Sequence, residues 1–152
     1  ILVVDHDMES LQRLNTILTS QRYGVTLLSQ PERFWQTLEQ TSPDLLILTV
    51  ELNQPVAQTQ RDAAALFPFS GLDLCQVIRS DPHWNRLPVM FLSACGDSQV
   101  VESCFSAGGD DILLKNVAAE ALLSRIQTRL EQHKLWVLGR DRPPKRHNIF
   151  SL

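Results

Sequence analysis

Short apolar runs of strand length alternate with amphipathic helical segments along most of the chain, and this alternation constrains the fold more than any other feature. Each run is followed by a stretch in which apolar residues recur at helical spacing, although after the third run an irregular segment at 53–69 comes first. Strands that alternate with helices in this way predict a parallel sheet with right-handed crossovers and helices on both faces. The predicted class is therefore α/β. The runs begin at Ile1, Val25, Pro43, Pro88 and Ile112.

The longest run, residues 43–52, predicts a central strand that is buried on both faces. In open α/β sheets, ligands bind beyond the carboxyl ends of such strands. Thr49 lies near that end, so it occupies a position where a functional side chain is expected. Its hydroxyl is not ionised at neutral pH, and the sequence supplies no obvious general base to activate it.

Composition narrows the class of protein and its expected surroundings. The 152 residues are 43% hydrophobic, which is enough for one domain with its own core, and the net charge of −3 gives no nucleic-acid-binding character. The three cysteines have neither metal-site spacing nor even pairing, as is typical of a reducing cytoplasm. No apolar run approaches the roughly 20 residues that cross a bilayer. We therefore expect a cytoplasmic protein without a membrane partner.

Five sequence motifs in the same order resemble the receiver domain of two-component response regulators. The resemblance covers about residues 1–132 and implies the flavodoxin-like fold, a five-stranded parallel sheet in the order 2-1-3-4-5 with helices on both faces. It also implies a regulatory module rather than an enzyme. The motifs are Ile-Leu-Val-Val-Asp at 1–5, Pro-Asp-Leu-Leu-Ile-Leu at 43–48, Ser-Gly-Leu-Asp-Leu-Cys at 70–75, Pro-Val-Met-Phe-Leu-Ser-Ala at 88–94, and Ala-Gly-Gly-Asp-Asp-Ile-Leu-Leu-Lys at 107–115.

The resemblance implies a phosphorylation site at the carboxyl end of the sheet. In the family, an Asp that ends the third strand accepts a phosphoryl group, and two acidic residues after the first strand hold Mg²⁺. A Ser or Thr after the fourth strand and a Lys after the fifth contact the phosphoryl oxygens. The matching positions here are Thr49 for the acceptor, Asp5 and His6 for the acidic pair, and Ser93 and Lys115 for the phosphoryl contacts.

Four positions depart from the family pattern, and all are expected at the same end of the sheet. Thr49 replaces the acceptor Asp, and His6 replaces the second acidic residue. Ile112 stands at the switch position, which is usually aromatic, and Asn116 replaces the proline that usually follows the Lys. The resemblance therefore implies the fold of the family without its reaction, which describes a degenerate receiver, or pseudo-receiver.

The carboxylates that remain are too few for the metal site of the family. Mg²⁺ prefers hard oxygen ligands anchored by carboxylates, and only Asp5 is left, with Asp7 or Glu51 as helpers. We therefore expect no strong Mg²⁺ binding and no other cofactor. We expect Lys115 to pair with Asp5 in a site that is stable when empty, and Glu51 to be a solvated residue at its rim.

The leading hypothesis is a signalling module that acts through protein–protein interaction and does not depend on phosphorylation. In the family, the fourth helix, fifth strand and fifth helix form the surface for dimerisation or effector contact, and they match residues 97–107, 112–115 and 118–132 here. The expected partners are another protein, a neighbouring effector domain or a second copy of the chain, in a bacterial setting.

Two other functions stay open, namely a receiver-like domain that binds a ligand in the former phosphorylation pocket and a flavodoxin-like enzyme. Lys115 and Ser93 could hold a small anion or another ligand in the former phosphorylation pocket, although both could also persist for local packing alone. His6 could bind a transition metal or sense pH, or reflect drift at a disused site. A flavodoxin-like cofactor-binding enzyme ranks third, because Asp5-His6-Asp7 stands where a phosphate-binding loop would follow the first strand.

The expected organisation is a receiver-like domain at 1–133, with an insertion at 53–69, and a tail or linker at 134–152. The insertion contains apolar residues that could cover the pocket mouth or form a partner-binding knob, unless the segment is disordered. The basic, proline-rich tail is typical of a linker, and nucleic acid would be contacted only indirectly or through it. The chain starts inside a strand without Met, so we expect either a piece of a longer protein or a processed chain. The apolar residues to which this role is assigned are Leu66, Phe67 and Phe69.

Overall fold

A computed structural model describes residues 1–52 and 70–140, in which strands and helices alternate. The strands are β1 (Leu2–Val4), β2 (Thr26–Leu28), β3 (Leu46–Thr49), β4 (Val89–Ser93) and β5 (Asp111–Leu114). The α-helices are α1 (Met8–Ser20), α2 (Phe34–Thr41), α3 (Gly71–Ser80), α4 (Ser98–Ser106) and α5 (Ala119–Arg140), and a 3₁₀ turn (Pro31–Arg33) precedes α2.

The five strands form one parallel sheet in the order β2-β1-β3-β4-β5, which confirms the predicted fold class and strand order. The register pairs Val4 with Leu48 and Thr49 with Leu92. The carboxyl ends of β1, β3 and β4 therefore meet at one edge of the sheet. Lys115 directly follows β5 and joins them there, since its backbone N–H donates to the carbonyl of Ser93 at 2.9 Å.

The central strand β3 is buried along its whole length, because helices cover both faces of the sheet. Leu46 and Leu48 face the core layer under α2, α3 and α4. Ile47 faces the opposite layer under α1 and α5. Burial on both faces explains why the sequence of this strand is a continuous apolar run rather than an alternating one.

Side chains cap three of the helices that begin near the carboxyl edge of the sheet. Asp7 accepts a hydrogen bond from the backbone N–H of Glu9 at the start of α1. Ser70 caps α3, and Asp97 caps α4. The backbone N–H of residue 100, with help from the Cys95 thiol, lowers the pKa of the Asp97 carboxyl.

Helix α5 continues past the expected end at Gln132 to Arg140, so the sequence-based helix end was wrong. The physical reason is a tertiary contact, because Trp136 on this added length stacks with His133 and lies under the guanidinium of Arg86. The domain boundary at residue 133 stays a prediction. The insertion at 53–69, with Leu66, Phe67 and Phe69, and residues 141–152 lie outside the described residues.

Within the two described stretches, no helix combines the length and the apolar character needed to cross a membrane.

Candidate functional site

The predicted site residues gather at the carboxyl edge of the sheet, with one exception. Asp5, Thr49 and Ser93 end or follow β1, β3 and β4 and are almost fully buried, while Lys115 is half-buried above them. Ile112, which the sequence resemblance places at the switch position, instead packs half-buried against the core layer under α2, α3 and α4. Its side chain is therefore a packing residue on one face of the sheet rather than part of the site.

Asp5 and Lys115 form an ion pair in direct contact. The Lys115 Nζ lies 2.8 Å from Asp5 Oδ2 and donates to Oδ1 at 3.1 Å. Asp5 Oδ1 also accepts a hydrogen bond from the backbone N–H of Asp7 at 3.0 Å. This is the pair expected from the sequence, and it neutralises a carboxylate that would otherwise be buried alone at large cost.

Ser93 is also engaged within the chain. Its hydroxyl donates to Glu51 Oε1 at 3.0 Å and accepts from the backbone N–H of Cys95 at 3.1 Å. The expectation that Glu51 is only a solvated rim residue was therefore incomplete. Its side chain is exposed, but one oxygen holds the hydroxyl that the family pattern assigns to phosphoryl contact.

Three buried polar atoms of the site make no hydrogen bond within the described residues, and one of them, Asp5 Oδ2, is still neutralised by the Lys115 Nζ at 2.8 Å. The hydroxyl of Thr49, on a side chain only 1% exposed, has no partner among the described residues. The His6 Nδ1 is also buried and unpartnered there, because its distance of 3.6 Å to Asp5 Oδ1 is too long for a hydrogen bond. The Thr49 hydroxyl and the His6 Nδ1 each cost free energy compared with their hydrated state.

The donor atoms present do not fit the Mg²⁺ site that the fold family implies. In the described part of the chain, no three His, Cys, Asp or Glu side chains come together as a group that could hold a metal ion. Asp5 already pairs with Lys115, and Glu51 accepts from Ser93. That the chain binds Mg²⁺ only weakly or not at all stays a prediction.

Arg13 is a site-supporting residue that the sequence reasoning missed. From α1, its guanidinium donates through Nη1 to the carbonyl of Lys115 at 3.1 Å and through Nη2 to the carbonyl of Val117. These bonds hold the loop that contains Asn116 against α1. Asn116 is the position at which the family pattern has a proline. The available signal was an arginine next to the buried Leu14 of α1, but nothing local indicated its distant partners.

Comparison with known proteins decides the family. The family model for the response regulator receiver domain matches residues 1–127. The chain belongs to this receiver domain family. The fold of this receiver domain resembles a CheY-like receiver domain protein of Methanospirillum hungatei, with a TM-score of 0.70, 17% identity, and coverage of 88% of this chain and 94% of that one.

Two curated relatives are much longer than this receiver domain. It is 38% identical over 136 residues to the protein RcaC of Microchaete diplosiphon, a match that covers 90% of this chain and 19% of RcaC. It is 24% identical over 133 residues to the DNA-binding response regulator MtrA of Mycobacterium tuberculosis, covering 88% of this chain and 51% of MtrA. The function common to the family is receiver-domain signalling in two-component systems, and receiver domains are regulatory modules.

Proposed function

We propose that this receiver domain signals without being phosphorylated and acts through contacts with other proteins. One observation carries the proposal: the groups that would hold a phosphoryl group are already occupied within the chain. Lys115 is paired with Asp5, and Ser93 is bonded to Glu51. The side chain at the position that matches the phosphoryl acceptor is Thr49, which carries a hydroxyl in place of a carboxylate.

The chemistry of the site supports this proposal. An aspartyl phosphate forms when an ionised carboxylate attacks phosphorus beside a metal ion that neutralises charge. Thr49 supplies an un-ionised, buried hydroxyl, and the neighbouring Asp5 carboxylate is held by Lys115 and the backbone of Asp7. Neither the nucleophile nor the metal ligands of that reaction are therefore provided.

The surface made by α4, β5 and α5 is the proposed place of output. It carries exposed apolar side chains, among them Phe105 at 50% exposure and Leu114 at 43%. Its partner would be another protein, a neighbouring effector domain or a second copy of the chain, in the cytoplasm. The length of RcaC and MtrA beyond the matched region is consistent with a neighbouring effector domain.

A second candidate function is the binding of a small anion or other ligand in the former phosphorylation pocket. The unpartnered Thr49 hydroxyl and His6 Nδ1 favour it, because a ligand could satisfy both atoms. Against it, Lys115 and Ser93 would first have to give up Asp5 and Glu51. This candidate predicts a higher melting temperature with phosphate present, which the first does not.

The test is to incubate the protein with Mg²⁺ and a small phosphodonor, or with beryllofluoride, and to measure its mass, melting temperature and oligomeric state. We expect no added phosphoryl mass, no rise in melting temperature with Mg²⁺, and the same oligomeric state by light scattering in every sample. The double variant His6→Asp, Thr49→Asp is the positive control, because it restores two carboxylates and should gain labelling. A stable phosphoryl adduct on the native chain would refute the proposal.

A further inference from the structure

A cleft of about 370 Å³ opens at the amino-terminal edge of the sheet, opposite to the candidate site. Its walls come from the end of α3, the loop before β4, the residue before β5 and the last turns of α5. No role is assigned to it by the function proposed above. The lining residues that matter here are Arg79, Arg86, Asp110, Arg129, His133 and Trp136.

Two arginines build a fixed wall of this cleft. Arg79 donates to the carbonyl of Leu87 at 2.7 Å and to Asp110 Oδ2 at 2.9 Å. Arg129 lies 3.2 Å from Asp111, which is almost fully buried. The charge of Asp110, the carboxylate on the cleft wall, is therefore already neutralised, and the wall does not repel an anion.

Arg86 is the cation left available in the cleft. Its guanidinium carbon lies 5.5 Å from the centre of the Trp136 ring, a cation–π contact that orients the group without using its N–H donors. In the part of the chain that the structure describes, this exposed guanidinium makes no hydrogen bond. A guanidinium with free donors in a fixed plane matches the paired oxygens of a carboxylate or phosphate.

The remaining wall is suited to the body of a ligand rather than to its charge. The His133 ring stacks against Trp136 with ring centres 6.1 Å apart and planes 21° from parallel. The volume falls within the roughly 300–1,000 Å³ typical of small-molecule sites, so it leaves room for more than an anionic group.

We propose that this cleft binds a small molecule that carries a phosphate or carboxylate group, with the anion on Arg86 and the body beside His133 and Trp136. The site contacts both the loop before β4 and the last turns of α5. It lies away from Thr49 and Lys115 and uses none of the residues of the candidate site, so the proposal stands independently of the function given above.

The test is calorimetric titration of the native chain with four probes, namely inorganic phosphate, citrate, AMP and adenosine. We expect saturable heat with AMP or citrate and none with adenosine, which lacks the anion. AMP binding that exceeds citrate binding would assign the phosphate class, and the reverse would assign the carboxylate class. Absence of heat with phosphate, citrate and AMP alike would overturn the proposal.

Variants show whether the binding uses this cleft. Arg86→Ala should weaken binding by about tenfold or more, because a charged hydrogen-bond pair is lost. Arg86→Lys keeps the charge but not the planar arrangement of donors. Its affinity should therefore lie between that of the native chain and that of Arg86→Ala. Arg33→Ala removes the same charge from an exposed residue outside the cleft and should bind like the native chain. Unchanged binding by a folded Arg86→Ala protein, with its melting temperature preserved, would overturn the assignment.

Discussion

Thr49 and Ser93 end neighbouring strands, yet their hydroxyls are in opposite situations. Both side chains are buried, but Ser93 makes two hydrogen bonds, whereas the Thr49 hydroxyl has none within the described residues. A buried polar atom without a partner loses its hydration and gains nothing in return. At the scale of single residues, Thr49 therefore lowers the stability of the fold, whereas the bonded hydroxyl of Ser93 does not.

Replacing Thr49 with Val should raise the free energy of unfolding by about 1 kcal/mol, because a methyl group takes the place of an unpaired hydroxyl of nearly the same size. Ser93→Ala is the matched control. It removes the bonds to Glu51 and to the Cys95 backbone, so it should lower the free energy of unfolding by about 1 kcal/mol.

Urea unfolding of the three proteins at pH 7 measures both changes. A clear loss of stability in Thr49→Val would contradict the prediction. It would mean that the hydroxyl has a partner in solution, such as a bound water or a ligand, and would favour the second candidate function.

The start of α3 is fitted closely under the end of β3, and Gly71 makes this possible. A Cβ atom at position 71 would lie 2.1 Å from the carbonyl oxygen of Thr49 and 3.3 Å from Leu48 Cγ. The backbone N–H of Gly71 also donates to the carbonyl of Val50 at 3.1 Å. The contact is between two backbones, so neither side can move away as a flexible side chain would.

Gly71→Ala should therefore lower the free energy of unfolding by about 2–3 kcal/mol, since overpacking against backbone forces the helix away from the strand. Gly24→Ala is the control, because a Cβ there meets no atom within 4 Å, and its effect should stay within about 0.5 kcal/mol. Thermal and urea unfolding give both values. Equal stability of the two variants would show that α3 is free to shift.

The order of the elements could be predicted because each one carries its burial pattern locally. β3 reads as an apolar run since it is covered on both faces of the sheet. The ends were predicted less well. The run at 43–52 shrinks to Leu46–Thr49 because strand length depends on the neighbouring strands.

The site could be predicted as a set of positions but not as a set of contacts. Asp5, Thr49, Ser93 and Lys115 follow from motif matching and from the rule that parallel strands end at one edge. The bond from Ser93 to Glu51 joins residues 42 apart in the sequence, and Arg13 reaches a carbonyl 102 residues away. No local pattern encodes such partners, because they are decided by how the helices pack on the sheet.

The three cysteines report on the integrity of the whole molecule. Cys75 and Cys104 lie in the same core layer, under the helices on one face of the sheet. Burial raises the pKa of each thiol to about 11. Cys95, in the loop after β4, is exposed. The reactive form of a thiol is the thiolate. Burial and a raised pKa therefore both slow the reaction of Cys75 and Cys104 with a thiol reagent.

At pH 8 an alkylating reagent should modify the native chain once, at Cys95, whereas the unfolded chain should be modified at all three cysteines. Because the folded pKa values of Cys75 and Cys104 are raised, their contribution to stability is complete below the unfolded thiol pKa. It should be lost as the pH rises from about 9 towards about 11. Mass spectrometry after labelling, with urea unfolding at pH 8, 9 and 10, measures both effects. Rapid labelling of Cys75 or Cys104 in the native chain at pH 8 would contradict the prediction, because it would require the helices over that core layer to open readily.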